Sequence, residues 1–597
     1  MRVLYLVPPG RIPTVIVDPG LWWDTIAASG RHTISGYSAN FHWWRAICNA
    51  NVTQALLSRL GLTQKFRRRL EWRVGDLEIS NTAETAAGAL EALRTIMPYQ
   101  GAAEFLAATK SLTEHLNALN KAQPEIEFTL TPGVRVRDLN YDDSHSLLAY
   151  AREDSVLAQL VANSTFDCPA DIDFLAISVT SPESLLTAMI AARLLRERNP
   201  GMHVCLADHG YENFSLHAHM TKLRESGAIG QVFDTIIEAK DDRDTVLPQI
   251  IAAVADGPAP KGFITTQAFP AMPPRPVAAY SPPPPLPTFT PEPVFFTRLS
   301  RRRCYWSRCT FCTQNTKYDD PKAASRLDIP ETLDRLATYL NAGYRNIVFS
   351  DEAIAPGTLK VLSEEIVKRK LDFQWTCRCR LELSHTRELF EQMRAAGCYE
   401  ILFGLESIST RVQKLMDKHL AGMDETRVRR IFQDIDAAGL AVHVTLIAGF
   451  PGDRLADSER TVDFVIEALR GMRNATFYLN QFSLFPDTII LREPARFGIA
   501  EVYADGDMPS RYSFAFDPKS HSETEEVLRE FPRLNDRLVE GLGWGSLGHG
   551  APAKAAQVLY FTSGCGAVFK TQKANPFVNP LLNGLSVDSH GSVQISA

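Results

Sequence analysis

Two stretches of the chain alternate short apolar runs with longer runs of helical period. In the first, "RVLYLVPP" (2–9), "DIDFLAISVT" (171–180), "HVCLADHG" (203–210) and "VFDTIIEAK" (232–240) read as buried strands. Between and after them, "ESLLTAMIAARLLRERN", "SLHAHMTKLRES" and "DTVLPQIIAAVA" carry the spacing of helices. Strand–helix alternation of this kind predicts a parallel sheet covered on both faces, a Rossmann-like unit. In the second stretch six apolar runs recur: 293–302, 346–352, 373–382, 399–407, 441–452 and 475–485. Helical patterns separate them, several closed by glycine, such as Gly439. Six βα-type repeats in about 200 residues are the content of a partial (β/α)6 barrel, whose site is expected at the C-terminal strand ends.

Residues 20–160 do not fit the simple alternation. They are mainly helical in pattern ("TAAGALEALRTIM", "AAEFLAATKSLTEHLNALNKA") and predict an insertion in the first unit. Residues 258–293, about a third of them proline, cannot sustain a helix or a central strand and read as a semi-rigid linker. The expected organisation is α/β: 1–257, the linker 258–293, a barrel over 294–499, and 500–597 as a C-terminal cap with "TEEVLREFPRLNDRLVEGL" as a helix. Trp22, Trp23, Trp43 and Trp44 are half of the eight tryptophans. They line a cavity or pack an insertion on the sheet.

Composition narrows the class. The 597 residues are too many for one core. With 45% hydrophobic and 22% charged residues the chain reads as soluble and globular. A net charge of −6 gives no sign of a nucleic-acid binder, although "KFRRRLEWR" and "RLSRRR" are local basic runs. No run of eighteen apolar residues and no signal-peptide pattern is present, so a cytoplasmic protein without membrane spans is expected.

Ten cysteines are too few for a disulfide scaffold, yet Cys304, Cys309 and Cys312 crowd one loop in "RRRCYWSRCTFCTQN", just after the first barrel strand. Thiolates are soft ligands that suit zinc or an iron–sulfur cluster. A structural zinc site wants four ligands, and no second CxxC or HxxxH lies nearby. Three thiols hold three corners of a cubane and leave one iron open. Cys377 and Cys379 share one face of a strand, and Cys48, Cys168, Cys205, Cys398 and Cys565 are isolated; these read as core.

On these residues the second unit resembles radical S-adenosylmethionine (SAM) enzymes. Three cysteines follow the first strand, "CTFC" is like the family's usual ending, and "LFGLES" and "VTLIAGFPGD" are similar to its fourth and fifth barrel strands. The likeness covers about 294–490. The departure is a CX4CX2C spacing where the common pattern has three residues in the first gap. The first unit, over about 165–257 and the first strand, resembles the cobalamin-binding unit often fused before such barrels, without the usual motif for a histidine below cobalt.

The resemblance implies a [4Fe–4S] cluster on the three cysteines, SAM on its open iron, and cobalamin on the first unit. For SAM it points to Phe311, Arg380, Gly404, Glu406, Ser407 and Gly449. For cobalamin, strand ends select Pro8, Pro9, Ser178, Thr180, Ser181, Asp208, His209, Gly210 and Glu238. His209 reads as a loop histidine near the corrin rather than an axial ligand. The implied function is a cobalamin-dependent radical SAM methyltransferase that moves a methyl group from SAM via methylcobalamin to a carbon of a small-molecule or peptide substrate, in natural-product tailoring. An electron donor such as flavodoxin or ferredoxin is the expected partner. Two other readings stand: a cobalamin-binding radical SAM enzyme that rearranges, cyclises or oxidises without methyl transfer, and a non-catalytic cobalamin or iron–sulfur sensor.

Overall fold

The computed structural model of the chain describes residues 1–13, 15–52, 69–95, 102–123, 125–130, 133–208, 210–211, 214–238, 243–257, 259–265, 280–290, 293–299, 304–314, 329–472, 475–542, 585–587 and 593–595. His209, Cys565 and most of the tail after 542 lie outside them. The chain divides into two compact units: one over Met1–Met97, Ala103–Pro291 and Asp505–Ser510, the other over Pro98–Ala102, Glu292–Ala504 and Arg511–Ala597. Among the described residues no helix is long and apolar enough to cross a membrane.

The first unit is built on β1 (Arg2–Val7), β2 (Thr33–Ser38), β3 (Phe174–Ser178), β4 (His203–Asp208), β5 (Thr235–Ile237) and β6 (Gly262–Ile264), in spatial order β2-β1-β3-β4-β5-β6 and all parallel. The order reverses at β1, so the loops after β1 and β3 diverge and leave a crevice at their C-terminal ends. Two strands were not legible in the periodicity. "TISGYS" is an edge strand with a glycine and a half-exposed pattern, so it lacks the apolar run of its neighbours. β6 opens the Pro-rich segment as the other edge strand, where only one side has to pair. The helices Leu21–Ser29, Ala39–Ile47, Arg69–Leu93, Ala102–Ala122, Ser144–Arg152 and Val156–Ser164 occupy the inserted region. Trp22 and Trp23 pack with Val3, Tyr5 and Phe174 in one apolar core; Trp22, Trp43 and Trp44 are fully buried. The tryptophans thus pack the insertion on the sheet.

The second unit carries six parallel strands in chain order: β7 (Val294–Thr297), β8 (Asn346–Phe349), β9 (Gln374–Cys379), β10 (Cys398–Glu406), β11 (Ala441–Ala448) and β12 (Ala475–Gln481). Their two faces differ. Phe295 packs on Tyr339 of one crossover helix, Phe403 on Phe432 of another, and the Trp375 indole donates to the Ala396 carbonyl. These side chains, with Cys377, Cys379, Val444 and Phe477, form the helix side and are almost wholly buried. The sulfurs of Cys377 and Cys379 lie 3.8 Å apart in that core. Alternation sends Thr376, Arg378, Leu402, Gly404, His443, Thr445, Ile447, Tyr478 and Asn480 to the inner side, where all nine are half-buried. The inner side of the sheet is therefore less closely covered than the helix side.

After β12, the antiparallel strands Ile499–Tyr503 and Ser513–Phe516 lead into the helix Pro518–Leu542. This helix lies along the helix Leu455–Leu469: Arg533 reaches Glu459 at 2.8 Å, Arg537 reaches Asp463 at 2.6 Å, and Gly541 lets it approach Ile466. The ion pairs are largely exposed and add little.

Gly397 ends the helix Arg387–Ala395 with φ +90°, and a Cβ there would stand 2.1 Å from the Phe373 carbonyl oxygen. Gly397→Ala should therefore destabilise this unit by roughly 2–3 kcal/mol, whereas Gly357→Ala, inside the helix Pro356–Lys368 and facing open space, should be neutral or stabilise by up to about 1 kcal/mol. Thermal unfolding of the two variants compares them directly.

Glu400 lies on the inner side of β10 at the N-terminal end, 9% exposed, and burial pushes its carboxyl up from 4.5 to about 7. Below pH 4.5 folded and unfolded chains both hold this proton. As pH rises from 4.5 to about 7 the unfolded state releases it while the folded state keeps it, so stability falls; above 7 the difference is constant. Glu400→Gln removes that loss. Its gain over the unmodified protein should grow across this window to on the order of 1–3 kcal/mol, read as denaturant midpoints at pH 5 and pH 7.5.

Candidate functional site

The three clustered cysteines sit on a loop that the surrounding fold pins at several points. Cys304 bridges to Ala353, just beyond β8. The Thr310 N–H donates to the Met416 carbonyl at 3.0 Å, and its hydroxyl to the Leu415 carbonyl at 3.1 Å. The Trp306 indole donates to the Asp417 carbonyl at 2.9 Å, and Arg308 pairs with the Asp417 carboxylate. The four-residue gap between Cys304 and Cys309 is closed by Ser307 at φ 48°, its hydroxyl donating to the Cys304 carbonyl. Ser307 is thus a non-glycine residue in the left-handed region. Between Cys309 and Cys312 the backbone makes a tight turn, and the Gln314 N–H points at the Cys312 sulfur at 3.4 Å.

The thiols feel one another. Burial pushes Cys309 up to about 11; Lys418 and Arg380 pull against that, while Cys304 and Glu406 add to it. Cys312 is pushed up by burial, then by Cys309, Glu352 and Cys304. Among the described residues no three His, Cys, Asp or Glu side chains converge as ligands of one ion would. A cubane does not require that, since each thiolate binds its own iron.

Around the loop stand the ends of three strands. Glu406 ends β10 with φ 60°, and Lys418 holds its carboxylate at 2.8 Å. Burial alone would lower Lys418, but Glu406, Cys309 and Cys312 outweigh it and keep the ammonium charged. A Cβ on Gly404 would stand 2.5 Å from the Glu406 carboxylate and 2.6 Å from the Lys418 nitrogen, so glycine is what lets this pair lie against the strand. Arg380, 5% exposed, donates to Glu382 at 2.5 Å and to the Lys418 carbonyl at 2.8 Å, and stacks on the Trp306 ring at 3.7 Å. Its Nε is buried without a hydrogen-bond partner among the described residues. Phe311 packs beside Phe450 at 6.1 Å, with the Lys418 ammonium 6.0 Å over its ring.

Ser407 takes part in the turn after β10: its hydroxyl lies 3.2 Å from Thr461, and its carbonyl accepts from Gln413. The cap of the following helix is Ser409. Gly449 ends β11 at φ +77° with its N–H on Asp453, and Leu528 of the C-terminal helix fills the space where a Cβ would be. Phe311, Arg380, Gly404 and Glu406 are thus gathered around Lys418, whereas Ser407 and Gly449 belong to adjoining turns. Lys418 was not singled out in the sequence, where a lysine in "LMDKHL" carries no signal of its own.

In the first unit, Pro8 and Pro9 follow β1 and are buried; the Pro9 carbonyl accepts from Thr187 at 2.7 Å. Ser178 closes β3 and bonds to Tyr5, whose phenol burial pushes up. Thr180 and Ser181 open the helix Pro182–Arg198; both their N–H groups reach the Ser184 hydroxyl at 2.9 Å, and Ser181 is its N-cap. Asp208, at the end of β4, pairs with Arg243 at 2.7 Å. The second carboxylate oxygen of Asp208 and the Nε of Arg243 are buried with no partner among the described residues. Gly210 starts a two-residue strand, and Glu238 pairs with Arg224. Arg243, from the helix after β5, was not anticipated.

Three comparisons bear on this arrangement. Residues 302–465 match the profile of the Radical SAM superfamily. An uncharacterized methyltransferase of Pyrococcus horikoshii, PH0819, is 23% identical over 207 residues, 32% of this chain and 43% of that protein, so the match spans less than half of the relative's length. The structure of the radical S-adenosylmethionine methyltransferase TsrM from Kitasatospora setae, with tryptophan substrate and the SAM analogue aza-SAM bound, superposes with a TM-score of 0.50 and 13% identity. That alignment covers 91% of this chain and 89% of that one, a likeness of fold. The cobalamin-dependent S-adenosylmethionine radical enzyme OxsB, with aqua-cobalamin and S-adenosylmethionine bound, aligns over 64% of each chain at 15% identity and a TM-score of 0.43. With three thiols on the loop after β7 and the family match running from that loop through the helix after β11, the chain carries a radical SAM domain over residues 302–465.

Proposed function

We propose that the protein is a cobalamin-dependent radical SAM methyltransferase acting on a carbon of a small-molecule or peptide substrate. The observation that carries the reading is the three-thiol loop set against Lys418, Glu406 and Arg380 at the strand ends of a radical SAM domain. Cys304, Cys309 and Cys312 would hold a [4Fe–4S] cluster. The donor set fits: three thiols within one loop, mutually coupled, with an N–H aimed at one sulfur. When bound, the cluster, SAM and cobalamin together supply transfer of a methyl group from SAM to an unreactive carbon.

The protein's own groups bind and orient. Lys418 and Arg380 place positive charge beside the thiols, which opposes the charge that three thiolates would bring. The SAM molecule has an ammonium and a carboxylate; the Glu406 carboxylate and the Lys418 ammonium are the complementary pair at this place, and the orphaned Arg380 Nε is a further donor. Phe311 offers a ring face for an adenine. Core packing of Phe311 and Gly449 keeps water from the same region.

The first unit would take cobalamin at the C-terminal ends of β1 and β3, where Pro8, Pro9, Ser178, Thr180 and Ser181 would form the rim. Asp208 leaves an orphaned acceptor and Arg243 an orphaned donor on one ion pair. A primary amide, of which a corrin edge carries several, satisfies both. Tryptophan, the substrate bound in the TsrM structure, gives a first compound to assay. A reductant of flavodoxin or ferredoxin type would deliver the electron.

Replacing Cys304, Cys309 and Cys312 together by alanine should remove iron and sulfide from the anaerobically reconstituted full chain while hydroxocobalamin still binds. Retained iron would overturn the cluster assignment, and absence of bound cobalamin in the unmodified protein would overturn the second cofactor. Products then separate the chemistries: S-adenosylhomocysteine with 5'-deoxyadenosine for methyl transfer, deoxyadenosine alone for rearrangement or oxidation, neither for a sensor.

A further inference from the structure

The crossover helix Pro182–Arg198 runs back from the C-terminal end of β3 to the start of β4, so its last turns lie at the N-terminal edge of the first unit's sheet. Met189, Arg193 and Glu197 follow one another there at i, i+4 spacing and share one face. The helix Ser144–Arg152 lies alongside, and the Arg193 Nε donates to its Ala151 carbonyl at 2.9 Å. With the turn before β5, at Gln231 and Val232, the two helices enclose a cavity of about 420 Å³.

The floor and the mouth of this cavity differ in chemistry. Leu148, Ala151, Met189 and Val232 form an apolar floor, none of them more than 9% exposed. The other lining groups include three cations, Arg152, Arg193 and Arg196, and one carboxylate, Glu197. Two of the cations are matched. Arg193 pairs with Glu197 at 3.1 Å, and Arg196 pairs with Asp234 at 2.7 Å while donating to the Val232 carbonyl at 3.0 Å. Arg152 is not: its side chain donates to Gln231, a neutral partner, at 2.6 Å, and forms no ion pair among the described residues. The side chains of Arg193 and Arg196 are only about one third exposed, 31% and 32%. Three guanidiniums drawn to one partly desolvated place repel one another more than they would in open water.

We infer that this cavity is a binding site for an aromatic monoanion, an aryl carboxylate in chemical class, with its ring on the apolar floor and its carboxylate on Arg152. Its volume falls in the range of small-molecule sites, about 300–1,000 Å³. One negative charge balances the one guanidinium left without a counter-charge. A neutral ring would fill the floor and leave that guanidinium unmatched, and a cation would meet three like charges. A guanidinium fork takes a carboxylate in bidentate fashion. An aromatic body is favoured over an aliphatic one because guanidinium planes stack on ring faces and the Met189 thioether makes favourable contacts with rings. The site lies at the sheet edge opposite the strand ends proposed for cobalamin, so it stands independently of the proposed function.

The test uses the full-length protein and three probes of one shape: 2-naphthoate, the neutral 2-naphthylmethanol and the cationic 2-naphthylmethylamine. Calorimetric titration should show 2-naphthoate binding at one site about tenfold more tightly than the alcohol, with the amine weakest. Arg152 is exposed, so its variants should fold, which thermal unfolding verifies. Arg152→Glu should weaken 2-naphthoate by at least about tenfold and raise the amine above it, while Arg152→Lys keeps the original ranking. Anomalous diffraction from crystals soaked with 6-bromo-2-naphthoate should place the bromine between the helices Ser144–Arg152 and Pro182–Arg198. Arginines that only brace these helices would leave the ranking unchanged in Arg152→Glu. That result, equal binding of the three probes, no binding of 2-naphthoate, or bromine located only elsewhere would overturn the inference.

Discussion

The constraint on which the barrel unit depends is that its six strands run parallel and in chain order. Every connection must then return along the outside as a crossover helix, and every strand must end at the same edge. That alone brings together groups far apart in sequence: Cys304 after β7, Glu352 after β8, Arg380 after β9, Glu406 at the end of β10 and Gly449 after β11. The helix side of each strand is fixed by apolar packing, as with Trp375, Phe403 and Val444. The inner side is thereby free to carry Arg378, His443 and Tyr478.

At that edge the electrostatics settle around Lys418. A buried ammonium is costly unless it is matched. Glu406 matches it at 2.8 Å, and the neighbouring thiols favour its charge. The Glu406 backbone adopts a positive φ to aim the carboxylate, and Gly404 removes the side chain that would obstruct it. Glu406 is one of several non-glycine residues with positive φ among the described residues, and here the pairing with Lys418 accompanies it. Arg380, stacked on Trp306 and bonded to the Lys418 carbonyl, braces the same loop from β9.

The strand–helix alternation was plain in the sequence because each barrel strand is a compact apolar run between amphipathic helices. β2 and β6 were not, since edge strands need only one apolar side and tolerate glycine and nearby proline. The crowding of the three thiols was plain in the sequence, as three cysteines in nine residues stand out from an otherwise cysteine-poor chain. Lys418 and Arg243 could not be read because a single cation in a charged segment carries no periodic signal; its meaning comes from what tertiary folding sets beside it. For Arg378 the alternation in "TCRCR" predicts a face, yet only the register to His443 and the contact with Glu352 show that the face is polar.

In the proposed function three thiolates leave one iron of a cubane open to SAM. Low-temperature electron paramagnetic resonance of the anaerobically reduced, reconstituted protein, recorded with and without SAM, tests it most directly. The expected result is the signal of a reduced [4Fe–4S] cluster whose g-values shift when SAM is added, because SAM would change the ligands of that iron. A protein that yields no cluster signal, or one whose signal is identical in the presence of saturating SAM, would contradict it.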